Sequence, residues 1–488
     1  MKNKNEKIRY FSISILFLIL SQIVAQLFRF IARIIIARYS STDVYGLFSV
    51  IWNEMSFLGL AVLLGLGQQL TIDLPRFDKN KKKHMIYSSI FYSLIFCVII
   101  SMLALVLNLI QIDNTYKYSL IVSIFFVLFL LNQFILIGIK DFFGIFLLNS
   151  LQNISLLLLI VLLRNRLTIE NIAYAAAGSI AFASISVLLY ILVRYRYLLK
   201  DIRRDELKIF NFHKGRFYLF VVDIVDSVIL YLLVKLPQII WGSSYAGFVS
   251  VAFSIMSFVL ILPQIITIST GPLISEEFIK EEYETMHSSF RTSMSLIYLF
   301  QCVIIFVFAY FGNPIIEFLY GIEYVSGTFR LFYGFLFAII IDAFTYPFGM
   351  YLRNTKHENL FGIGKIISLL TFVAFESVLL FTTNNMMVIP ISYFISKIAL
   401  LSFYIYSIIK MNDRIETNDV KKLLLWLLYI IISFILILTI NYFFDNLVYR
   451  LLFLLLHTFV FIIIISLTKI VNLKSAIKNI LSIIPSKK

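Results

Sequence analysis

The sequence predicts an all-α fold: a polytopic integral membrane protein with about 14 transmembrane helices. Three observations predict it. Hydrophobic types make up 60% of the 488 residues, charged types only 14%, and apolar runs of about twenty residues recur along the chain. A soluble domain has too little interior to hide so much apolar side chain, and a membrane β-barrel would show short alternating segments instead.

The apolar runs divide into fourteen expected spans. They lie at 11–37, 46–72, 85–110, 118–139, 142–163, 171–193, 217–241, 247–273, 292–311, 328–352, 359–381, 388–409, 423–441 and 451–468. The first span follows a basic start that resembles a signal peptide. Because its apolar run continues beyond signal-peptide length and no small-residue cleavage site follows, we expect it to be retained.

The Lys and Arg residues are distributed unevenly between the two sides of the predicted spans. With the N-terminus inside, 31 of the 42 fall in inner segments, 6 in outer segments and five within spans. Inner loops keep cations, so this bias predicts that both termini are cytoplasmic. It also explains the net charge of +15 without nucleic acid, because basic loops face the anionic lipid of the bilayer.

The basic stretch 194–216 separates six predicted helices from eight, and its pattern suggests a helix lying on the membrane surface. A weak internal repeat supports this division. After helices 1 and 7, a Ser-Ser turn leads into Gly-x-x-Ser-Val, at Gly46, Ser49 and Val50 and again at Gly247, Ser250 and Val251. Chance similarity is the alternative, since turns are rich in Ser and Gly.

Helix 1 carries a polar stripe that does not belong in lipid. Gln22, Gln26, Arg29 and Arg33 lie within ~60° of one another around an ideal helix. A charge near the bilayer centre is costly, so such residues face a partner or a water-filled cavity. With no acid in the same span, they predict a cationic cavity wall; Arg33 has the alternative of extending to the membrane interface.

Other charged residues fall within the predicted spans, three cations and five acids. They are Lys235, Lys365, Lys397, Glu54, Asp223, Asp226, Asp342 and Glu376. The cations extend the list of candidate substrate-binding residues that begins with the helix 1 stripe. Four acids, Glu54, Asp226, Asp342 and Glu376, are candidates for coupling to H⁺ or Na⁺. For each residue, an internal ion pair that fixes helix packing is the alternative.

No catalytic, nucleotide-binding or metal-binding motif is visible, so we expect no enzymatic activity, no cofactor and no metal. Cys97 and Cys302 lie in apolar runs and are expected to be buried thiols. Without an ATPase domain, transport would run on an ion gradient, the membrane potential or the substrate gradient.

Four segments resemble one family. They are 32–77 with its Tyr-Gly and Gly-Leu-Gly, the junction 236–258, the loop and helix entry 315–335, and the return from Asn354 to Lys365. In these segments the chain resembles the polysaccharide, or lipid-linked oligosaccharide, flippases of the multidrug/oligosaccharidyl-lipid/polysaccharide exporter superfamily.

The resemblance implies two six-helix bundles, 1–195 and 217–410, around a central cavity. A cytoplasmic linker, 196–216, would join them, and 411–488 would add two helices and a cytoplasmic tail. Such proteins move a polyprenyl-(pyro)phosphate-linked oligosaccharide from the inner to the outer leaflet by alternating access, for cell-surface polysaccharide biosynthesis. The plasma membrane and contact with glycan-assembly proteins are implied in the same way.

Several family members have a cationic cavity with Arg in helix 1, and Arg29 and Arg33 match that placement. Lys235 departs from the family, because relatives often carry an acid midway along helix 7. Two alternatives remain: a cation-coupled exporter of small organic molecules, whose cavity should be acidic and aromatic, and a membrane-embedded glycan polymerase or ligase.

Overall fold

The computed structural model describes residues 2–74, 79–109, 114–195, 214–383, 385–411, 417–443 and 446–468. Within these ranges the chain forms sixteen α-helices and one short 3-10 helix, with no strand. The fold-class prediction is therefore confirmed: the protein is an all-α, polytopic membrane protein.

The chain divides into two compact units, Met1–Ser250 and Val251–Lys488. Eight helices and the start of a ninth build the first unit. They are α1 (Lys2–Tyr39), α2 (Thr42–Leu63), α3 (Leu66–Asp73), α4 (Lys79–Leu109), α5 (Asn114–Gly138), α6 (Phe142–Leu162), α7 (Ile169–Arg194), α8 (Lys214–Trp241) and α9 (Ser243–Val259). Helix α6 packs between α1 and α7, while α2 lies against both α5 and α8.

Two glycines set the crossing of α2 and α9 within the first unit. A Cβ atom on Gly46 would overlap the backbone oxygen of Ser243, and one on Gly247 would lie 2.7 Å from the backbone oxygen of Thr42. The helices therefore approach backbone to backbone, which only glycine permits. The two glycines that the repeat aligns are thus in direct contact.

Seven helices and the remainder of α9 build the second unit. They are α10 (Ile261–Ile279), α11 (Tyr283–Tyr320), α12 (Ile322–Asn354), α13 (Glu358–Thr382), α14 (Val388–Lys410), α15 (Thr417–Phe443) and α16 (Leu447–Thr468). Helix α14 packs against α12 and α13, α11 packs against α10 and α12, and α15 and α16 lie against α11.

Twelve of the fourteen predicted spans correspond to one helix each, while 46–72 covers α2 and α3 and 247–273 covers α9 and α10. In the described part of the chain, ten helices are long and apolar enough to cross a membrane, or eleven if the bent pair of α9 and α10 is one span. The other three predicted spans coincide with α8 and with two shorter apolar stretches, Leu428–Asn441 and Leu447–Phe461.

The predicted span 46–72 is broken, which the hydropathy pattern does not reveal. Leu64 and Gly65 adopt positive φ angles of 44° and 76°, and this left-handed backbone separates α2 from α3. A second irregularity lies in α11, where Phe311 has non-helical angles three residues before Pro314. Proline removes a backbone donor and crowds the preceding turn, which accounts for the kink.

Helix α8 belongs to the first unit because it packs along α2. Most of the predicted linker 196–216, and the surface helix expected there, lie outside the described residues, as does most of the C-terminal tail. The division into two six-helix bundles with those boundaries stays a prediction.

Candidate functional site

Arg29 and Arg33 of α1 share one aromatic partner on α2. Their guanidinium carbons lie 5.5 Å and 6.0 Å from the ring centroid of Trp52, which is itself buried. Both distances are within the range of a cation–π interaction. The two arginines are one helical turn apart. Their positively charged guanidinium groups therefore lie beside the same indole, close enough to repel one another.

Helix α6 fixes the position of Arg29. The Nε of Arg29 donates a 3.3 Å hydrogen bond to Oδ1 of Asn153 on α6, and Asn153 is fully buried. Asn153 donates in turn to the backbone oxygen of Asn149, and Asn149 donates to the hydroxyl of Ser21 at 2.8 Å. These polar side chains connect α1 to α6 and give Arg29 a defined orientation.

Sequence reasoning missed Trp52, Asn149 and Asn153. A signal was present for the two asparagines, because they are four residues apart and therefore share one face of a mostly apolar helix. Tryptophan, in contrast, is common in apolar helices, so nothing in the pattern singled out Trp52.

Among the described residues, neither Arg29 nor Arg33 forms a salt bridge with a carboxylate. Both side chains are half-buried, as are Gln22 and Gln26 on the same helix. Two half-buried guanidinium groups without an acidic partner give this part of the first unit a positive charge. We call Arg29, Arg33, Trp52 and Asn153 the arginine cluster.

The first unit contains a second buried cation, Lys235 of α8. Its Nζ lies 4.5 Å from the ring centroid of Tyr116, and the residue is only 5% exposed. Glu54 of α2 is also buried and accepts a 2.7 Å hydrogen bond from Ser119. Because Trp52 and Glu54 are ~200° apart around α2, these groups and the arginine cluster approach α2 from different sides.

Asp226, another candidate acid, is half-buried on α8. The side chain of Asp223 lies outside the described residues. The substrate-binding and ion-coupling roles of all these residues stay predictions.

The second unit contains a buried ion pair. Nζ of Lys397 lies 3.0 Å from Oδ1 of Asp342, and both side chains are about 5% exposed. Tyr393 donates a 2.6 Å hydrogen bond to the other carboxylate oxygen. The Thr345 hydroxyl lies 3.3 Å from the first and donates to the backbone oxygen of Asp342 at 2.7 Å. Lys397 also lies 4.9 Å from the Tyr393 ring. The ion-pair alternative therefore fits Lys397 and Asp342.

Lys365 and Glu376 lie on α13 and, unlike Lys397 and Asp342, do not form an ion pair with each other. Lys365 is half-buried, with its Nζ 5.9 Å from the ring centroid of Phe361. Glu376 is 1% exposed, and neither carboxylate oxygen has a hydrogen-bond partner among the residues that the structure describes. The alternative reading of Glu376, an ion pair with Lys365 or Lys397, is not observed among the described residues.

Other kinds of site are not evident in the described ranges. They contain no group of three or more His, Cys, Asp or Glu that could hold a metal ion. Cys97 and Cys302 are buried thiols, as expected, and form no disulfide bond among the described residues. An apolar pocket of about 420 Å³ at the kink of α11 is lined by none of the candidate residues.

No protein-family model matches the sequence, and no curated protein sequence matches it. Solved structures do match the fold. The lipid II flippase MurJ, in an inward closed conformation, aligns with a TM-score of 0.63 at 14% identity, over 92% of this chain and 97% of that one.

Two further structures belong to transporters of the MOP superfamily, the superfamily named above. An inward-facing multidrug resistance MATE family transporter gives a TM-score of 0.62 at 12% identity, over 80% of this chain and 94% of that one. A transporter from Pyrococcus furiosus gives 0.58 at 13% identity, over 83% and 95%. The chain therefore shares its fold with these solved proteins, as the resemblance predicted. At such identities the likeness concerns the fold and leaves the substrate open.

Proposed function

We propose that this protein flips a polyprenyl-(pyro)phosphate-linked oligosaccharide from the inner to the outer leaflet of the plasma membrane. The observation that carries the proposal is the arginine cluster. Two guanidinium groups lie at one indole ring, and in the described part of the chain no carboxylate neutralises them. Such a site favours an anionic ligand at membrane depth.

The geometry of Arg29 fits a phosphate ligand. Because its Nε donates to Asn153, the guanidinium is oriented by the protein, while no described residue accepts from its two terminal amino groups. Those groups form the fork that binds two phosphate oxygens through parallel, charge-assisted hydrogen bonds. Arg33 adds a second positive charge on the same ring, which suits the second phosphate of a pyrophosphate.

The names of two structural neighbours point to different kinds of substrate. MurJ is named a lipid II flippase, whereas the MATE transporter is named for multidrug resistance. The Pyrococcus furiosus transporter is described as having a binding pocket of reverse polarity that suggests a different function. Pocket charge is thus a useful criterion within this fold, and a cationic cluster favours a lipid-linked phosphate over an organic cation.

Binding measurements with purified protein in nanodiscs test the proposal. The probes are a polyprenyl pyrophosphate disaccharide and, as the rival ligand, a quaternary ammonium dye. We expect the pyrophosphate to bind and Arg29→Ala to weaken it by about 2 kcal/mol, the value of a charged hydrogen bond. Arg29→Lys should lose less, because it keeps the charge without the fork. Asn153→Ala should cost about 1 kcal/mol.

Arg38→Ala is the matched control, since Arg38 is an exposed arginine at the end of the same helix. It should bind the probe as the wild type does. Tighter binding of the dye than of the pyrophosphate, or unchanged pyrophosphate binding by an Arg29→Ala, Arg33→Ala double variant, would contradict the proposal.

A further inference from the structure

Glu376 is a buried acid that forms no ion pair among the described residues. It lies on the narrow face of α13 that is buried, together with Gly364, Ser368 and Phe372, at intervals of four residues. The other residues between 365 and 380 are half-buried or exposed. Both oxygens of the Glu376 carboxylate are buried and lack a hydrogen-bond partner within the described ranges.

The other candidate acids are placed differently. Asp342 is neutralised by Lys397 at 3.0 Å. Glu54 accepts a 2.7 Å hydrogen bond from a serine of α5. Asp226 is only half-buried. Of the four acids predicted to couple transport to an ion, Glu376 alone combines nearly complete burial with the lack of a described partner.

The neighbouring helix offers a polar atom at the same level. Helix α13 packs antiparallel to α14, with Gly364 against the ring of Tyr404. Glu376 is twelve residues further along α13, or ~18 Å, which is level with residues near 390 on α14. Ser392 lies in this region, and its buried hydroxyl also lacks a described hydrogen-bond partner.

The charged and titratable groups on the packed helices are engaged elsewhere. On α14, Tyr393 and Lys397 both contact Asp342. On α12, Tyr333 is at a comparable level and donates to a backbone oxygen of α11. Lys365, on α13 itself, is eleven residues away, or ~16 Å along the helix axis. None of these groups forms a hydrogen bond to the Glu376 carboxylate.

We propose that Glu376 is a proton-binding site, neutral in the conformation described here, that takes up and releases H⁺ during the transport cycle. An ionised carboxylate without a cation or a protein hydrogen-bond donor beside it is strongly disfavoured in an apolar interior, whereas the neutral acid is tolerated. The role in transport rests on the proposed function; the protonation itself does not.

The step is a simple proton transfer. When α13 separates from α14 and water enters, the O–H bond of Glu376 breaks, the proton passes to water and the carboxylate remains with the bonding electrons. Because the ionised form is tolerated only in the opened arrangement, proton binding favours the closed arrangement and proton release favours the open one. A lower pH should therefore favour the closed arrangement.

Infrared difference spectroscopy of the purified protein in nanodiscs tests the protonation directly. At neutral pH the wild type should show the carbonyl-stretch band of a protonated carboxylic acid, and Glu376→Gln should lose it. Glu376→Asp should retain a shifted band. Glu276→Gln is the control, because Glu276 is an exposed acid paired with Lys280, and it should leave the band intact. An identical carboxylic-acid band in wild type and Glu376→Gln would overturn the proposal.

A transport assay tests the coupling, with the polyprenyl pyrophosphate disaccharide as probe in proteoliposomes. A proton gradient should accelerate flipping by the wild type at least tenfold and leave Glu376→Gln unaffected. Glu376→Gln should also slow exchange at equal pH, because glutamine mimics the neutral acid and therefore favours the closed arrangement. If Glu376→Gln responds to the gradient like the wild type, coupling lies elsewhere. If the wild type moves no probe, the proposed function fails, while the infrared result still decides the protonation.

Discussion

Replacing Lys397 by methionine removes the ammonium group that lies 3.0 Å from the Asp342 carboxylate in the second unit. Methionine keeps the length of the side chain, so little packing is lost. The Asp342 carboxylate would retain the hydrogen bond from Tyr393 but would have no counter-charge. The variant therefore isolates the electrostatic contribution of the pair.

The size of the effect follows from the distance and the burial. At 3.0 Å and an effective dielectric constant of about 20, the Coulomb attraction is about 5–6 kcal/mol. Desolvation offsets part of it, yet loss of one partner leaves the other charge buried, at a cost of about 3–5 kcal/mol. The double variant Lys397→Met, Asp342→Leu buries no charge and should lie within about 2 kcal/mol of the wild type.

Unfolding free energies measured in detergent by denaturant titration provide the assay, arranged as a double-mutant cycle. The coupling energy should be at least about 2 kcal/mol. Lys410→Met serves as the control, because Lys410 is exposed at the end of the same helix. A loss for Lys397→Met no larger than that of the control would refute the assignment of a stabilising pair. Transport retained by the double variant would assign the pair to packing; lost substrate binding would restore Lys397 as a binding residue.

Two further predictions concern packing and topology. Gly46→Ala should lower the unfolding free energy by about 2 kcal/mol or more, because the new Cβ would overlap a backbone oxygen across the α2–α9 crossing. Gly178→Ala is the control, since the nearest neighbour of its Cβ is 4.0 Å away; its unfolding free energy should be unchanged or higher by up to about 1 kcal/mol. In intact cells, a single cysteine in place of Arg204 should resist a membrane-impermeant thiol reagent until the membrane is permeabilised; immediate labelling would reverse the predicted orientation.

The sequence alone predicts the helices of this protein. A membrane-spanning helix satisfies its backbone hydrogen bonds internally and needs an apolar surface. A continuous run of apolar residues therefore identifies it, without information from the rest of the chain. The same holds for the stripe of Arg29 and Arg33, since residues three or four apart share a face whatever the helix packs against. The glycine repeat at Gly46 and Gly247 was also visible, although its direct contact was not.

Local breaks were harder to predict. The span expected at 46–72 breaks at Leu64 and Gly65 because both residues adopt left-handed backbone, while the side chains before and after them remain apolar. Hydropathy reports the solvent around a segment and does not report its φ angles. The kink in α11 carried a clearer signal in Pro314.

Only the tertiary structure decided which polar groups meet. Arg29 and Asn153 are 124 residues apart in the chain, and Tyr393 and Asp342 are 51 residues apart. Whether a buried lysine neutralises one acid or another depends on helix register and rotation, and several pairings are compatible with the same pattern of spans. The structure pairs Lys397 with Asp342 and leaves Glu376 without a described partner. The attraction between two charges depends on the few ångströms that separate them in space, and the number of residues between them in the sequence does not determine that distance.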